Sequence, residues 1–211
     1  MYIPASFRVD DAETIAAFIQ RYGFATLVTN AEQTPFATHL PMQLIREAGD
    51  SGILVGHLAR ANPQWQHFGA GHEVLAIFQG PHSYISPSWY TVSESVPTWN
   101  YAAVHVYGIP RVIEDRERVD SILNDLIDFY ERDFEQPWKP VLSPAYRDKM
   151  VKAIVAFEIR ITRIEAKFKL GQNRNADDIR SVFETLENAD DQDANQLAEL
   201  MRRQNLVHDP Q

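Results

Sequence analysis

Runs of alternating apolar and polar residues are the feature that most constrains how this chain can fold. Period-two alternation is typical of β-strands that bury one face. Strand-like composition recurs in six segments, which are Phe24 to Thr29, Phe36 to Ile45, Gly52 to Ala59, Glu73 to Gln79, Trp99 to Ile113 and Val151 to Ile164. Strands at this spacing predict a closed antiparallel sheet, and six of them are enough to close a small barrel.

Helical spacing of apolar residues predicts helices around this sheet. Asp10 and Asp11 precede an amphipathic run that ends at Gly23, which predicts a first helix with an acidic cap, plugging one end of the barrel. A second helix, laid against the barrel, is predicted over Asp115 to Arg132 because its apolar residues recur at helical spacing. A further one-turn helix is predicted at Ser143-Pro144.

Length and composition predict one main domain with a helical tail. A chain of 211 residues with 45% hydrophobic composition can bury a sizeable core as a single domain. We place this domain at residues 1–175 and the acidic, helix-prone tail at residues 176–211. Within the tail, residues 188–195 predict a break between two helices, and the pair is expected to pack on the barrel or on a partner subunit.

Cysteine content, hydropathy and charge exclude several classes of function. The chain has no cysteine, which rules out disulfides, thiolate nucleophiles and cysteine-ligated metals. It shows no signal segment and no run approaching the roughly 18 apolar residues of a membrane span, so we expect a soluble, cytoplasmic protein without membrane contact. The net charge of −9 disfavours general binding to duplex DNA, which depends on Lys and Arg neutralising phosphates.

The motifs of metal, hydrolase and nucleotide sites are not found. The histidines show neither the H-E-x-x-H pair nor the spacing of a facial triad, so no metal site is expected. They are His39, His57, His67, His72, His82, His105 and His208. The G-x-S-x-G, G-x-x-x-x-G-K-[ST] and G-x-G-x-x-G strings are absent. No residue can be assigned as catalytic, and His105 is only a candidate for lining a redox site.

Aromatic and polar side chains are concentrated between Gly80 and Tyr107, in two strand-like runs joined by a polar loop. In the second run, Tyr101, Ala103, His105 and Tyr107 share one face. The pattern favours a wall for a flat aromatic ligand. An aromatic-rich core, in which hydroxyls and indoles find backbone partners, is the alternative.

The stretch Arg60-Ala61-Asn62-Pro63 has the components of a phosphate site. Asn62 is a good N-cap, and Pro63 suits the first position of a helix that we predict to run to about Phe68. A helix N-terminus offers free N–H groups, and the adjacent Arg60 adds a planar fork of donors. The alternative is an ordinary strand-to-helix turn with a solvated arginine.

Three stretches together resemble the PaiB-type family of FMN-binding negative transcriptional regulators. They are Gly56 to Trp65, the aromatic segment described above, and Lys167 to Arg174, and they occur in the family's order. The resemblance extends from Met1 to about Leu206. At Gly171 the chain departs from the family's Lys-Leu-Ser-Gln-Asn string by lacking the serine hydroxyl.

The resemblance implies an α+β fold, namely a six-stranded antiparallel split β-barrel similar to the pyridoxamine-phosphate-oxidase-like FMN binders, with flanking helices. It also implies a homodimer with the flavin at the subunit interface, the aromatic wall coming from the same or the other subunit. The implied FMN contacts are Thr38, His39, Leu40, His57, Arg60, Asn62, Trp99, Asn100, Tyr101, Lys169, Gln172 and Arg174.

Each group of these residues has an expected role. Backbone groups of Thr38, His39 and Leu40 would meet the pyrimidine edge of the flavin, and Arg60 with Asn62 would hold its phosphate. His57 is either a flavin contact or a satisfied core histidine. The string from Lys167 to Arg174 would neutralise the phosphate or hold the partner chain, unless it is a solvated basic strand end.

Three functions remain open at this point. The resemblance implies an FMN-binding negative regulator of transcription, for which direct DNA binding is expected to be weak or partner-dependent. An FMN-dependent oxidoreductase is the first alternative, and a binder of another planar ligand such as haem is the second. Whether the protein is an enzyme is left open.

Overall fold

The computed structural model describes residues 1–31, 34–46, 52–92 and 94–207. His208, one of the histidines considered above, lies outside these residues. Over these residues the chain forms seven strands and five α-helices. The strands are β1 (Arg8–Val9), β2 (Phe24–Ala31), β3 (Thr34–Ile45), β4 (Ile53–Ala59), β5 (Val74–Ile85), β6 (Thr98–Val112) and β7 (Ile154–Lys169). The helices are α1 (Ala12–Arg21), α2 (Arg116–Glu131), α3 (Pro144–Lys152), α4 (Ala176–Glu187) and α5 (Gln192–Arg203).

The strands form one sheet in the order β1-β7-β4-β3-β2-β5-β6, and β7 also pairs with β6. Because β7 pairs with both β4 and β6, the six strands β2 to β7 form a closed sheet. The two-residue β1 pairs with β7 in addition. The pairings of β2 with β3 and of β4 with β7 are antiparallel, with Thr29 opposite Phe36 and Gly56 opposite Phe157. The predicted closed antiparallel sheet of six strands is therefore confirmed. β1 was not predicted, because two residues are too few to show an alternating pattern.

Two strands differ from their predicted bounds by more than two residues. β5 continues to Ile85, beyond the predicted end at Gln79, and so contains the start of the first aromatic run, as far as Tyr84. β7 begins at Ile154 because Val151 and Lys152 belong to α3. Val151 was predicted in the strand from alternation alone. The helix that precedes β7 has nine residues, where one turn was predicted. Ser143 caps this helix, since its hydroxyl accepts a hydrogen bond from Tyr146 N at 3.3 Å.

The predicted helices are present, and the buried face of α2 is narrower than its apolar pattern indicated. In α2, Val119, Ile122 and Leu126 are buried, whereas Tyr130 is 45% exposed. Ile122 and Leu126 pack with Val55 of β4, which confirms that this helix lies against the sheet. The break in the tail is shorter than residues 188–195, because the Asp191 carboxylate accepts a hydrogen bond from Ala194 N at 2.9 Å and starts α5 at Gln192.

By its contacts the chain divides into two compact units. One consists of Met1–Phe18, Gln79–Val104 and Glu165–Gln211, and the other of Ile19–Phe78 and His105–Ile164. In the first unit, the rings of Phe18 and Phe168 lie 5.0 Å apart, and a Cβ at Gly80 would come within 2.6 Å of Phe18. The second unit contains the cluster around Val55. The domain boundary at residue 175 stays a prediction.

Helix α4 is tied to the segment that follows β5. The carboxylate of Asp178, which is 1% exposed, accepts hydrogen bonds from both the backbone N and the hydroxyl of Thr91, each at 2.7 Å. Ser181 donates to the carbonyl of Trp89 at 2.6 Å. The start of the tail is therefore bound within its own unit through a buried charge.

The Asp178 carboxylate makes the stability of the protein depend on pH. Burial raises its pKa, but the hydrogen bonds from Thr91 and the charge of Arg174 outweigh burial, so the net pKa is lowered. The stabilisation is then complete above the unfolded pKa of about 3.9 and is lost as pH falls through the folded pKa. Asp178→Asn should therefore lower the midpoint of thermal unfolding at neutral pH, and the difference from the wild type should shrink below about pH 4. Thermal scans across this range, with the exposed Asp177→Asn as control, would contradict the argument if the difference did not change with pH.

Candidate functional site

The predicted basic string at the end of β7 folds into a compact turn. Gly171 has φ +89°, a conformation that glycine adopts without strain, which explains why this position carries no side chain here. Gln172 closes the turn, since its side-chain Oε1 accepts from Leu170 N at 2.7 Å and its Nε2 donates to Phe168 O at 2.5 Å. The turn fixes the direction in which Lys169 and Arg174 leave the strand.

Three cations come together around this turn. Lys169 Nζ donates to Trp99 O at 2.7 Å and to the Thr98 hydroxyl. Lys167 is 7% exposed, and its Nζ lies 5.0 Å from the ring centre of Tyr101. The Arg174 guanidinium lies 4.1 Å from the ring centre of Tyr90. The alternative of a solvated basic strand end is wrong for Lys167, because its side chain is buried against aromatic rings.

The positive charge of this group is not balanced by an ion pair. Within the described part of the chain, no carboxylate lies within salt-bridge distance of Lys167, Lys169 or Arg174. The pKa of Lys169 is lowered by burial and by repulsion from the two other cations. The charge of Arg174 also acts on the Asp178 carboxylate, whereas Lys169 has no such acidic neighbour among the described residues. Cations without a carboxylate at pairing distance, in a chain of net charge −9, favour an anionic ligand.

Exposed aromatic side chains adjoin these cations. Trp99 is 53% exposed, and its ring lies 6.0 Å from that of Tyr84 and 6.1 Å from that of His82. Asn100 points to the opposite face of β6 and is 3% exposed, beside the Gly171 turn. We call the residues Tyr84, Trp99, Tyr101, Lys167, Lys169 and Arg174 the cation–aromatic cluster.

The cluster contains four of the twelve predicted cofactor contacts, namely Trp99, Tyr101, Lys169 and Arg174. Two more lie next to it, since Gln172 closes the adjoining turn and Asn100 is buried beside Gly171. Tyr90, which stacks under Arg174, and Tyr2, whose carbonyl accepts from Lys167 Nζ at 3.3 Å, were not predicted. The position of Tyr2 depends on the pairing of β1 with β7. This pairing could not be predicted, because β1 has only two residues and shows no alternating pattern.

In the second unit, Asn62 caps the following helix as predicted. This helix, Pro63–Ala70, is a 3₁₀-helix. The Asn62 side chain accepts from Gln64 N at 3.0 Å and donates to the Thr38 hydroxyl at 2.9 Å. Thr38 lies on the part of β3 that precedes its pairing with β4, which begins at Met42. The structure thus joins two predicted contacts, Thr38 and Asn62, by one hydrogen bond.

The Arg60 guanidinium already has protein partners. Its Nε donates to Lys152 O at 2.8 Å and one terminal nitrogen donates to Ile154 O at 2.7 Å, so it clamps the junction between α3 and β7. The backbone N of Arg60 also donates to Ala153 O at 2.8 Å. The side chain is therefore not a freely solvated arginine, and its role in binding phosphate stays a prediction.

The other predicted contacts in this unit are not joined to the Thr38–Asn62 pair by a side-chain hydrogen bond among the described residues. His39 is exposed, with its Nδ1 2.9 Å from the Thr26 hydroxyl, whereas Leu40 is 4% exposed and packs in the core. His57 lines a cavity beside α2 and α3. Its Nδ1 is buried without a hydrogen-bond partner, so it is not a satisfied core histidine.

Gln64 was missed by sequence reasoning, because glutamine in a polar turn gives no sign of burial. It is 0% exposed, and its Nε2 donates to Leu27 O at 2.9 Å, Thr29 Oγ1 at 3.2 Å and Phe36 O at 3.2 Å. It thereby holds the 3₁₀-helix against β2 and β3. The Thr29 hydroxyl also lies 2.9 Å from His67 Nδ1.

Replacing Gln64 by leucine should lower the free energy of unfolding by about 2–4 kcal/mol, because buried acceptors lose their donor. Chemical denaturation measures the change. Gln66→Leu, at an exposed position of the same 3₁₀-helix, is the matched control and should change stability by less than about 0.5 kcal/mol. Equal effects of the two substitutions would show that the buried hydrogen bonds contribute nothing.

Metal and membrane features can be stated for the described residues. They contain no group of three or more His, Asp or Glu side chains that could hold a metal ion. Among the helices described here, none has both the length and the apolar character needed to cross a membrane. On β6, the rings of His105 and Tyr107 lie 6.5 Å apart, and the Arg163 guanidinium stands 3.7 Å from the ring centre of Tyr107.

Comparison with known proteins gives matches in both sequence and structure. Residues 1–163 match the family described as "Putative FMN-binding domain". The chain is 44% identical over 203 residues to "Protease synthase and sporulation protein PAI 2" of Bacillus subtilis, covering 95% of this chain and 96% of the relative.

Two solved structures resemble the fold at low sequence identity. The flavocytochrome Anf3 from Azotobacter vinelandii has a TM-score of 0.59 and 17% identity, covering 77% of this chain and 69% of its own. The FAD and heme binding protein from Mycobacterium smegmatis has a TM-score of 0.59 and 16% identity, covering 82% and 78%. At these identities the likeness concerns the fold alone.

Proposed function

The chain belongs to the family described as "Putative FMN-binding domain", and on that premise we propose that it is an FMN-binding regulator of transcription. The family and the 44% identical relative confirm the expected PaiB-type assignment, the split-barrel fold class and FMN as the cofactor. The relative's name joins a protease synthase with sporulation, and sporulation is a cellular process and not a reaction. This second part of the name supports a regulatory role.

The observation that carries the proposal for the site is the unbalanced charge of the cation–aromatic cluster. FMN combines a phosphate of about two negative charges with a flat aromatic ring system. The cluster offers Lys169 and Arg174 beside the exposed ring of Trp99, so its chemistry fits both parts of the cofactor. Lys167, which contacts the ring of Tyr101, adds further positive charge. Among the described residues, no carboxylate forms an ion pair with Lys167.

We assign roles to the cluster residues accordingly. Lys169 and Arg174 hold the phosphate, Trp99 and Tyr84 contact the ring system, and Gln172 keeps the turn in place. When bound, FMN supplies electron transfer, whereas the protein supplies binding, orientation and electrostatics. Thr38, His39, Leu40, His57, Arg60 and Asn62 remain predicted contacts.

The proposal is tested by titrating the purified, cofactor-stripped protein with FMN while flavin fluorescence and absorbance are followed. Saturable binding that weakens as salt rises is expected, because the cluster acts through charge. Riboflavin, which lacks the phosphate, is the matched control ligand and should bind more weakly. Equal affinity for riboflavin and FMN would remove the phosphate role of the cluster.

The regulatory part of the proposal requires DNA recognition and a defined assembly. We propose a cytoplasmic homodimer, since FMN and DNA are both available in that compartment and two chains double the basic surface. Selection of genomic fragments by the FMN-loaded and the cofactor-free protein, followed by sequencing, should enrich discrete sites in one of the two states. Light scattering measures the assembly. Failure of both states to retain any fragment would favour the oxidoreductase alternative, which NAD(P)H-driven bleaching of the flavin then tests.

A further inference from the structure

An apolar cavity of about 360 Å³ lies in the second unit, between α2, α3 and the neighbouring ends of β4 and β7. Leu126, 5% exposed, forms part of its floor, and Leu123 and Ile127 of the same helix are half-buried in its wall. Leu142 and Met150, 40% and 39% exposed, stand at its rim. Its volume falls in the range of about 300–1,000 Å³ that small-molecule sites occupy in proteins.

The charged group at this cavity is already neutralised. Arg147 Nε donates to Asp120 Oδ1 at 2.9 Å, and one of its terminal nitrogens donates to Asn124 Oδ1 at 3.0 Å. Asp120 also accepts from Arg116 Nε at 2.7 Å, and Arg116 pairs in turn with Asp148 at 2.7 Å. A charged ligand would therefore find no unpaired opposite charge among these side chains.

His57 is the polar side chain of the wall that lacks a protein partner. Its Nδ1 is buried with no hydrogen bond, although a neutral imidazole has one donor and one acceptor nitrogen. Burial lowers its pKa, so the ring is neutral at physiological pH. Because Nδ1 is shielded from solvent, a ligand in the cavity would bond to the other ring nitrogen, Nε2.

We propose that this cavity binds a neutral, mainly apolar small molecule with one hydrogen-bonding group that the His57 imidazole recognises. The site is separate in chemistry from the cation–aromatic cluster, since it offers apolar contact and one neutral polar group where the cluster offers unpaired cations. It gives the protein a ligand other than FMN, and it assigns His57, which was predicted to contact the flavin, to that ligand instead. For a regulator such a ligand is a candidate signal.

The first experiment uses the neutral fluorescent probe N-phenyl-1-naphthylamine on the full chain. We expect saturable binding of one probe per chain. Leu123→Trp fills the cavity and should weaken binding at least about tenfold, as should Ile127→Phe, which serves if the first variant does not fold. Val96→Trp, at a 70% exposed position that does not line the cavity, is the matched control and should bind like the wild type.

The second experiment tests the role of His57 with two probes of similar shape, 2-naphthol and naphthalene. The wild type should prefer 2-naphthol by roughly three- to tenfold, the range expected of one hydrogen bond. His57→Phe should keep naphthalene binding and lose the preference. An unchanged preference in this variant would overturn the assignment to His57.

Parallel FMN titrations separate this proposal from the one before it. Leu123→Trp should keep the wild-type affinity for FMN, and a saturating probe should not displace FMN. Displacement would show that the cavity belongs to the flavin site, and probe binding that falls as the chain self-associates would show that a second copy fills it. Either result overturns the proposal, as would equal probe binding by Leu123→Trp and the wild type.

Discussion

Lys169→Met is expected to weaken FMN binding by roughly ten- to hundredfold, the loss expected when a hydrogen bond to a charged group is removed. Methionine keeps the length and apolar stem of the side chain but removes the ammonium. In the folded protein this ammonium contacts Trp99 O and the Thr98 hydroxyl beside two other cations. Flavin fluorescence titration measures the change in affinity.

Two control variants locate the cause of that loss. Lys149→Met removes the same charge from an exposed position of α3 and should leave FMN affinity within about twofold. Lys169→Arg keeps the charge and should recover part of the affinity. If Lys169→Met bound FMN as well as Lys149→Met does, the cluster would not hold the phosphate.

Gly108→Ala should lower the free energy of unfolding by about 3 kcal/mol or more, a large effect for one methyl group. A Cβ at this position would lie 2.4 Å from Arg160 O and 2.6 Å from Ile159 Cγ2, at the pairing of β6 with β7. Backbone on the opposing strand cannot move aside as a flexible side chain can, so the sheet itself must shift. The midpoint of thermal unfolding should fall by roughly 6–12 °C for a chain of this size.

Gly69→Ala is the matched control for that substitution. No atom lies within 4 Å of a Cβ at Gly69, so the same methyl group enters open space. We expect its stability to stay within about 0.5 kcal/mol of the wild type, or to rise slightly because alanine restricts the unfolded chain. A similar loss in both variants would mean that close approach of the two strands is not what Gly108 provides.

Periodicity was enough to predict the sheet, because a buried strand face leaves its mark on every second residue. It failed where two rules competed in one segment. Val151 continues the alternation of β7, but the cap at Ser143 extends α3 through Lys152. The apolar pattern of α2 likewise identified the helix, yet Leu123 and Ile127 line a cavity and are not packed in the core.

The candidate site was predicted less completely, because its properties depend on contacts between distant segments. The match of Lys169, Gln172 and Arg174 to the family's string marked it as a binding element. Nothing in the sequence indicates that Lys167 is buried against Tyr101, or that the Arg60 guanidinium binds the backbone at the start of β7. Charge balance around a side chain follows from the three-dimensional fold, so it could only be judged from the structure.

The pairing of β1 with β7 also constrains the order of events during synthesis of the protein. Arg8 lies opposite Lys167, so β1 is synthesised long before β7 and has no partner until β7 has been made. Contacts of such long sequence separation form slowly, and strands left without partners are open to aggregation. A nascent chain that ends before residue 167 therefore exposes unpaired strand edges, and chaperone binding should be strongest just before that point.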